Sequence, residues 1–132
     1  MTEHIVVGID DTTGSRAALA WAMREADLRH ATLEVVHVYL DDDYFDRTKI
    51  ETRFQAMVDA AKAGVGASVD PTVTIVFGES APHGLVHASG TADLLVVGAS
   101  RHLSLVDRML GSVSAASVHQ AQCTVVVVRT NE

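Results

Sequence analysis

The sequence predicts an open α/β domain built on a mainly parallel sheet, and two observations predict it. Five short apolar runs rich in β-branched residues recur along the chain, and the stretches between them carry helical periodicity. Strand, helix and strand alternating throughout implies parallel strands joined by right-handed crossovers. Several of the runs are apolar at every position, which suits strands covered on both faces.

The first strand is HIVVGI, residues 4 to 9. Between it and the second run lies SRAALAWAMREADLRHA, where Leu19, Ala22, Met23 and Ala26 form one helical stripe at i, i+3, i+4 and i+7. Ser15 or Thr13 is the expected cap of this helix, and Arg29 and His30 at its far end suit the negative pole of its dipole. The second strand is TLEVVHVY, 32 to 39. The acidic DDDYFD that follows reads as a solvated connection.

A second helix is expected over 47 to 63, with Ile50, Phe54, Met57 and Ala61 inward and a stop before Gly64 and Gly66. The third strand is TVTIVF, 72 to 77, and the third crossover is the short SAPHGLVHAS. Pro82 suits a first helical turn there, whereas Gly84 argues against a regular helix. The fourth strand is DLLVVG, 93 to 98; a fourth helix starts at Gly111 or Ser112 and runs to about Gln122. TVVVV, 124 to 128, is the fifth strand. Trp21 reads as packing.

The 132 residues suffice for one domain, 1 to 132, with its own hydrophobic core. Ten Lys and Arg against 17 Asp and Glu leave a formal charge of −7. That balance argues against sequence-independent binding of nucleic acid and against an anionic membrane surface, so any phosphate ligand must be held locally. Cys123 is the only cysteine, which rules out an intramolecular disulfide and is compatible with a reducing cytosol. Cys123 itself reads as a small buried hydrophobe. No apolar run reaches membrane-spanning length, and the expected location is the cytoplasm.

In open α/β sheets ligands sit beyond the carboxyl ends of the strands, where the strand order reverses. That rule selects Gly8, Ile9, Asp10, Asp11 and Thr12 after the first strand, and Gly98, Ala99, Ser100 and Arg101 after the fourth. Gly98 permits a sharp exit, and Gly111-Ser112-Val113-Ser114 presents unpaired helix N–H groups and two hydroxyls, a setting that attracts anions. The intervening loop is placed to arch over a nucleotide's sugar and phosphates. The plainer reading is that Gly98 and Gly111 only end one element and start another, that Asp10 caps a turn, and that Arg108 is a solvated cation. His83 and His87 have the i, i+4 spacing of a metal pair but lack a third ligand.

From IVVGIDDTTGSRAALAWA through DLLVVGAS to GSVSAASVHQAQCTVVVV the chain resembles a single universal stress protein domain. The resemblance implies a Rossmann-like sheet of order 3-2-1-4-5 with helices on both faces. The nucleotide-binding branch of that family carries a glycine, two residues, a second glycine, nine residues, then Gly-Ser or Gly-Thr. Gly98, Ala99-Ser100, residues 102 to 110 and Gly111-Ser112 reproduce the interval, with Arg101 where the second glycine stands. Asp10-Asp11-Thr12 likewise replaces the family's usual Asp-Gly-Ser.

The resemblance implies ATP or a related adenine nucleotide as ligand, with any Mg²⁺ held by its phosphates. Asp10 and the backbone of Val38 would face adenine, beside Gly8, Ile9 and Val97. Gly98, Ser100 and Arg101 would follow ribose and phosphates, and Gly111, Ser112, Val113 and Ser114 would hold the phosphate chain. A left-handed backbone at Arg101 costs about 1 to 2 kcal/mol. A guanidinium–phosphate hydrogen bond returns roughly 1.5 to 3 kcal/mol. These magnitudes leave two readings open: a nucleotide-responsive signalling protein, and a nucleotide-independent interaction module with a degenerate pocket. A slow ATPase is a third, although the chain has no P-loop, no Ser-His-Asp order and no paired carboxylates. The last strand, Thr124 to Val128, would be a flat apolar edge, and a symmetric homodimer through it is expected, with a further protein partner unspecified.

Overall fold

The computed structural model describes residues 2–10, 12–40, 47–78, 80–99 and 112–130. Five strands, β1 (His4–Gly8), β2 (Thr32–Leu40), β3 (Thr72–Gly78), β4 (Leu94–Ala99) and β5 (Thr124–Arg129), alternate with helices α1 (Thr13–Arg29), α2 (Arg47–Val65), α3 (Ala81–Ala88) and α4 (Ser112–Gln120). A single 3₁₀ turn, Ser89–Thr91, follows α3. The sheet has the order β3-β2-β1-β4-β5, and every neighbouring pair is parallel. This is the expected doubly wound, Rossmann-like α/β fold. No helix among the described residues is long and apolar enough to cross a membrane.

Strand side chains alternate between faces, and here both faces are buried. Ile5, Val7, Leu33, Val35, Leu94 and Val96 join Leu19, Ala22, Met23, Phe54 and Val58 in one core beneath α1 and α2. Val6, Val36, Leu95 and Val97 join Leu85 of α3 in a second, smaller one. The inward stripe of α1 lies in the first core as its spacing predicts, and Trp21 packs against it.

Two helix ends differ from expectation. The cap of α1 is Thr12, whose hydroxyl accepts the Ser15 N–H at 3.2 Å, because Ser15 turns inward to bond Asp10. Helix α2 continues through Gly64 to Val65, and Gly66, at φ 72°, ends it: its N–H and that of Ala67 both return to the Lys62 carbonyl. Helix α3 is regular despite Gly84, and Ser80 caps it by accepting the His83 N–H at 3.2 Å.

Candidate functional site

The carboxyl edge of the sheet, where β1 and β4 leave in opposite directions, opens into a cleft lined by Gly8, Ile9, Asp10, Val38, Val97 and Gly98. Six of the residues chosen from sequence therefore meet there. Thr12, Ser15, Val36, His37 and Leu85 complete the described wall, around a volume of about 90 Å³. Ser100, Arg101 and Gly111 lie outside the described residues. Ser112 and Val113 form the start of α4, and Ser114 in its first turn is only 1% exposed. Because α4 returns from the carboxyl end of β4 to the start of β5, its N-terminus lies at the same edge of the sheet as the cleft.

Asp10 is held by the first turn of α1. Ser15 Oγ accepts the Asp10 N–H at 2.8 Å and donates to Asp10 Oδ1 at 2.7 Å. Thr12 Oγ1 donates to the same oxygen at 2.5 Å while accepting from the Ser15 N–H. Both hydroxyls converge on Oδ1, so the carboxylate is fixed in orientation and Oδ2 has no hydrogen-bond partner among the described residues.

Close approaches at glycine set the shape of the cleft. A Cβ on Gly98 would overlap the Gly14 carbonyl and stand 3.0 Å from Ser15 N, so β4 runs directly against the start of α1. A Cβ on Gly8 would meet both Leu85 methyls, at 2.5 and 2.8 Å, and one on Gly84 would lie 2.8 Å from Val38 Cγ1. Helix α3 thus presses its Gly84-Leu85 pair onto the ends of β2 and β1. Gly84, which argued against a helix, is what lets that helix sit so near.

The backbone of Val38 adds a donor and an acceptor to the cleft. Thr32 N–H donates to Glu3 O and Ile9 N–H donates to Val36 O, so even-numbered residues of β2 turn their backbone groups toward β1. Val38 is the next in that series. The β1 chain pairs with β2 no further than Gly8 opposite Val36, plus the Ile9 N–H bond, and Val38 has no backbone partner on that side among the described residues. Its N–H and C=O therefore face the cleft, one donor beside one acceptor, between the apolar side chains of Val36, Leu85 and Val97.

His37 meets the chain where β1 stops. Its ring lies against Phe54 of α2, centroids 4.1 Å apart, and Nδ1 is 2.9 Å from Ile9 O. A carbonyl only accepts, so Nδ1 carries the proton and donates. The sequence reading missed His37, Ser15 as an Asp10 ligand, and Leu85. A polar residue inside an otherwise apolar strand end was the available signal for His37, and the glycine preceding Leu85 was the signal for α3.

Among the described residues no group of three or more His, Cys, Asp or Glu side chains could hold a metal ion. Cys123, distant from the cleft in sequence, is half-buried, and that burial raises its thiol pKa.

Fold and cleft define a doubly wound α/β domain with a crevice at its topological switch point, the place where such folds take small ligands. The chain matches the universal stress protein family over residues 1–129, and it belongs to that family. Universal stress protein Rv2005c of Mycobacterium tuberculosis (strain ATCC 25618 / H37Rv) is 31% identical over 143 residues, covering 97% of this chain and 48% of the relative. The chain spans about half the length of the curated relatives it matches. A universal stress protein solved in complex with cAMP superposes with a TM-score of 0.75 at 30% identity, covering 96% of this chain and 95% of that one. The Arabidopsis thaliana family protein At3g01520, solved with AMP bound, shares the fold at 19% identity and a TM-score of 0.68, covering 98% and 92%.

Proposed function

We propose that the protein binds an adenine nucleotide, ATP or a close relative, at this cleft and reports its nucleotide state to a protein partner in the cytoplasm. The observation that carries the reading is the Val38 backbone, which turns a donor and an acceptor into the cleft with apolar side chains around them. Adenine offers the complement on its Watson–Crick edge, an amino donor beside a ring-nitrogen acceptor, whereas guanine offers the reverse. Such a paired contact discriminates between bases by about 1 to 3 kcal/mol.

The size of the cleft suits one end of a nucleotide. Whole small-molecule pockets run to roughly 300 to 1,000 Å³, so about 90 Å³ takes the base end and leaves the phosphates outside it. The Asp10 carboxylate in the cleft wall disfavours phosphates beside β1. They belong at the N-terminus of α4, with Gly98, Ser100, Arg101, Gly111, Ser112 and Val113. Ser114 serves there by its N–H, its side chain being buried. Mg²⁺, if carried, is held by the phosphates. The 30% identical relative solved with cAMP supports an adenylate over other ligands of this charge.

Titration calorimetry of the purified chain against ATP, ADP, AMP, cAMP and GTP tests the reading. Adenylates should bind, with GTP at least about fivefold weaker than ATP. No heat and no thermal shift with any adenylate would overturn it. Arg101 in place of the family's second glycine favours a second reading, an interaction module that needs no nucleotide, and that same null titration would support it.

A further inference from the structure

We propose that His37 is a positioning residue that keeps the Val38 backbone open for the ligand. The assignment rests on the adenylate reading for its consequence but not for its mechanics. In a continuing parallel ladder, Ile9 O would accept the Val38 N–H just as Val36 O accepts the Ile9 N–H. Ile9 O is engaged instead by His37 Nδ1 at 2.9 Å, from the α2 face of the sheet. The ring is held there by Phe54, 4.1 Å away between centroids and inclined by 27°.

The imidazole therefore satisfies the Ile9 carbonyl that would otherwise close the ladder. Val38, the following residue, keeps its N–H and C=O directed into a cleft where no β1 backbone meets them. A buried carbonyl needs a donor, so His37 lets β1 end one bond early without leaving Ile9 O unsatisfied. Without the ring N–H, the Val38 N–H is the donor that a continuing ladder offers Ile9 O, and one bond would both satisfy that carbonyl and remove the donor a base needs. His37 acts on the ligand through Ile9 O and Val38, by leaving their backbone groups apart.

Two variants separate the donor from the ring. His37→Phe keeps an aromatic ring against Phe54 and removes the donor; His37→Asn keeps a donor near the position of Nδ1 and removes the ring. Amide hydrogen exchange by NMR on the full chain, without nucleotide, reads the mechanics. In the wild type the Val38 amide should exchange on the order of 100-fold faster than those of His37 and Tyr39, which face β3. In His37→Phe it should become protected to within about threefold of these neighbours, and in His37→Asn it should stay fast. A Val38 amide already protected in the wild type, or unchanged in His37→Phe, overturns the proposal.

Calorimetry with ATP and GTP reads the consequence. The preference for ATP should fall from at least about fivefold to within about twofold in His37→Phe and be retained in His37→Asn. Retained preference in His37→Phe overturns the positioning role. A wild type that binds no adenylate refutes the adenylate reading alone, since the exchange measurement still decides what His37 does.

Discussion

Gly98 lies so close to Gly14 that a side chain on Gly98 would occupy the Gly14 carbonyl. The contact joins the end of β4 to the first turn of α1, backbone to backbone, and neither partner can yield by changing a rotamer. Gly98→Ala should therefore destabilise the fold by about 1 to 3 kcal/mol, the range for overpacking a tight interior, read as a lower urea midpoint. An unchanged midpoint would show that the strand and helix can separate without cost.

Gly8 provides the contrast. Its hypothetical Cβ meets only the methyl end of Leu85, which can rotate or shift. Gly8→Ala should cost less stability than Gly98→Ala, under about 1.5 kcal/mol, while displacing Leu85 at the cleft wall. Comparing the two urea midpoints with the two ATP affinities checks this: Gly8→Ala should weaken binding more than its stability loss suggests.

Thr12 and Ser15 share the task of aiming Asp10, but their energetic roles differ. Thr12→Ala removes the cap of α1 and should cost about 0.5 to 2 kcal/mol. Ser15→Ala removes the acceptor of the Asp10 N–H and a donor to its carboxylate, at about 0.5 to 1.5 kcal/mol, because water can reach exposed Asp10. Both should weaken adenylate binding through a loosened carboxylate. Equal urea midpoints for Ser15→Ala and wild type would contradict the network.

Asp27 ties the far end of α1 to the chain that follows α2. It accepts the Ser68 N–H, the Ser68 hydroxyl and the Val69 N–H, and the Ser68 backbone bond is the main cause that lowers its pKa. A carboxylate whose folded pKa is depressed stabilises fully above its unfolded value, and that contribution is lost as pH falls through the folded value. Wild type should exceed Asp27→Asn in urea midpoint at pH 7, and the gap should close as the pH is taken below about 4. A gap constant from pH 7 to pH 3 would show that the charge of Asp27 plays no part.

The strands and the two-faced core were legible in the sequence because β-branched runs such as DLLVVG and the 19-22-23-26 stripe encode burial directly, whereas the strand order came from the family resemblance. The cleft was half legible for a different reason. Gly8, Asp10 and Gly98 announce themselves by position at strand ends, but the part of Val38 that matters is its backbone, and only the family resemblance pointed to it. Leu85 and His37 were missed because their roles come from across the sheet, against Gly8 in one case and Ile9 O in the other. The α1 cap was placed late because Ser15, a good cap by residue type, serves Asp10 instead.

Strand β5 is an edge whose four valines, Val125 to Val128, remain only partly buried. Thr130 N–H donates to Ala99 O, so even-numbered residues there face β4 and the amides of Val125, Val127 and Arg129 face outward. If a second copy covers this edge, as the homodimer reading holds, it must use those odd-numbered amides. Val127→Pro removes one of them without touching a bond to β4, a change that edge strands tolerate. Light scattering at micromolar concentration should give twice the chain's mass for the wild type and a single chain's mass for Val127→Pro, with the circular dichroism spectrum preserved. A monomeric wild type, or a Val127→Pro variant that stays dimeric, would place any self-association elsewhere on the molecule.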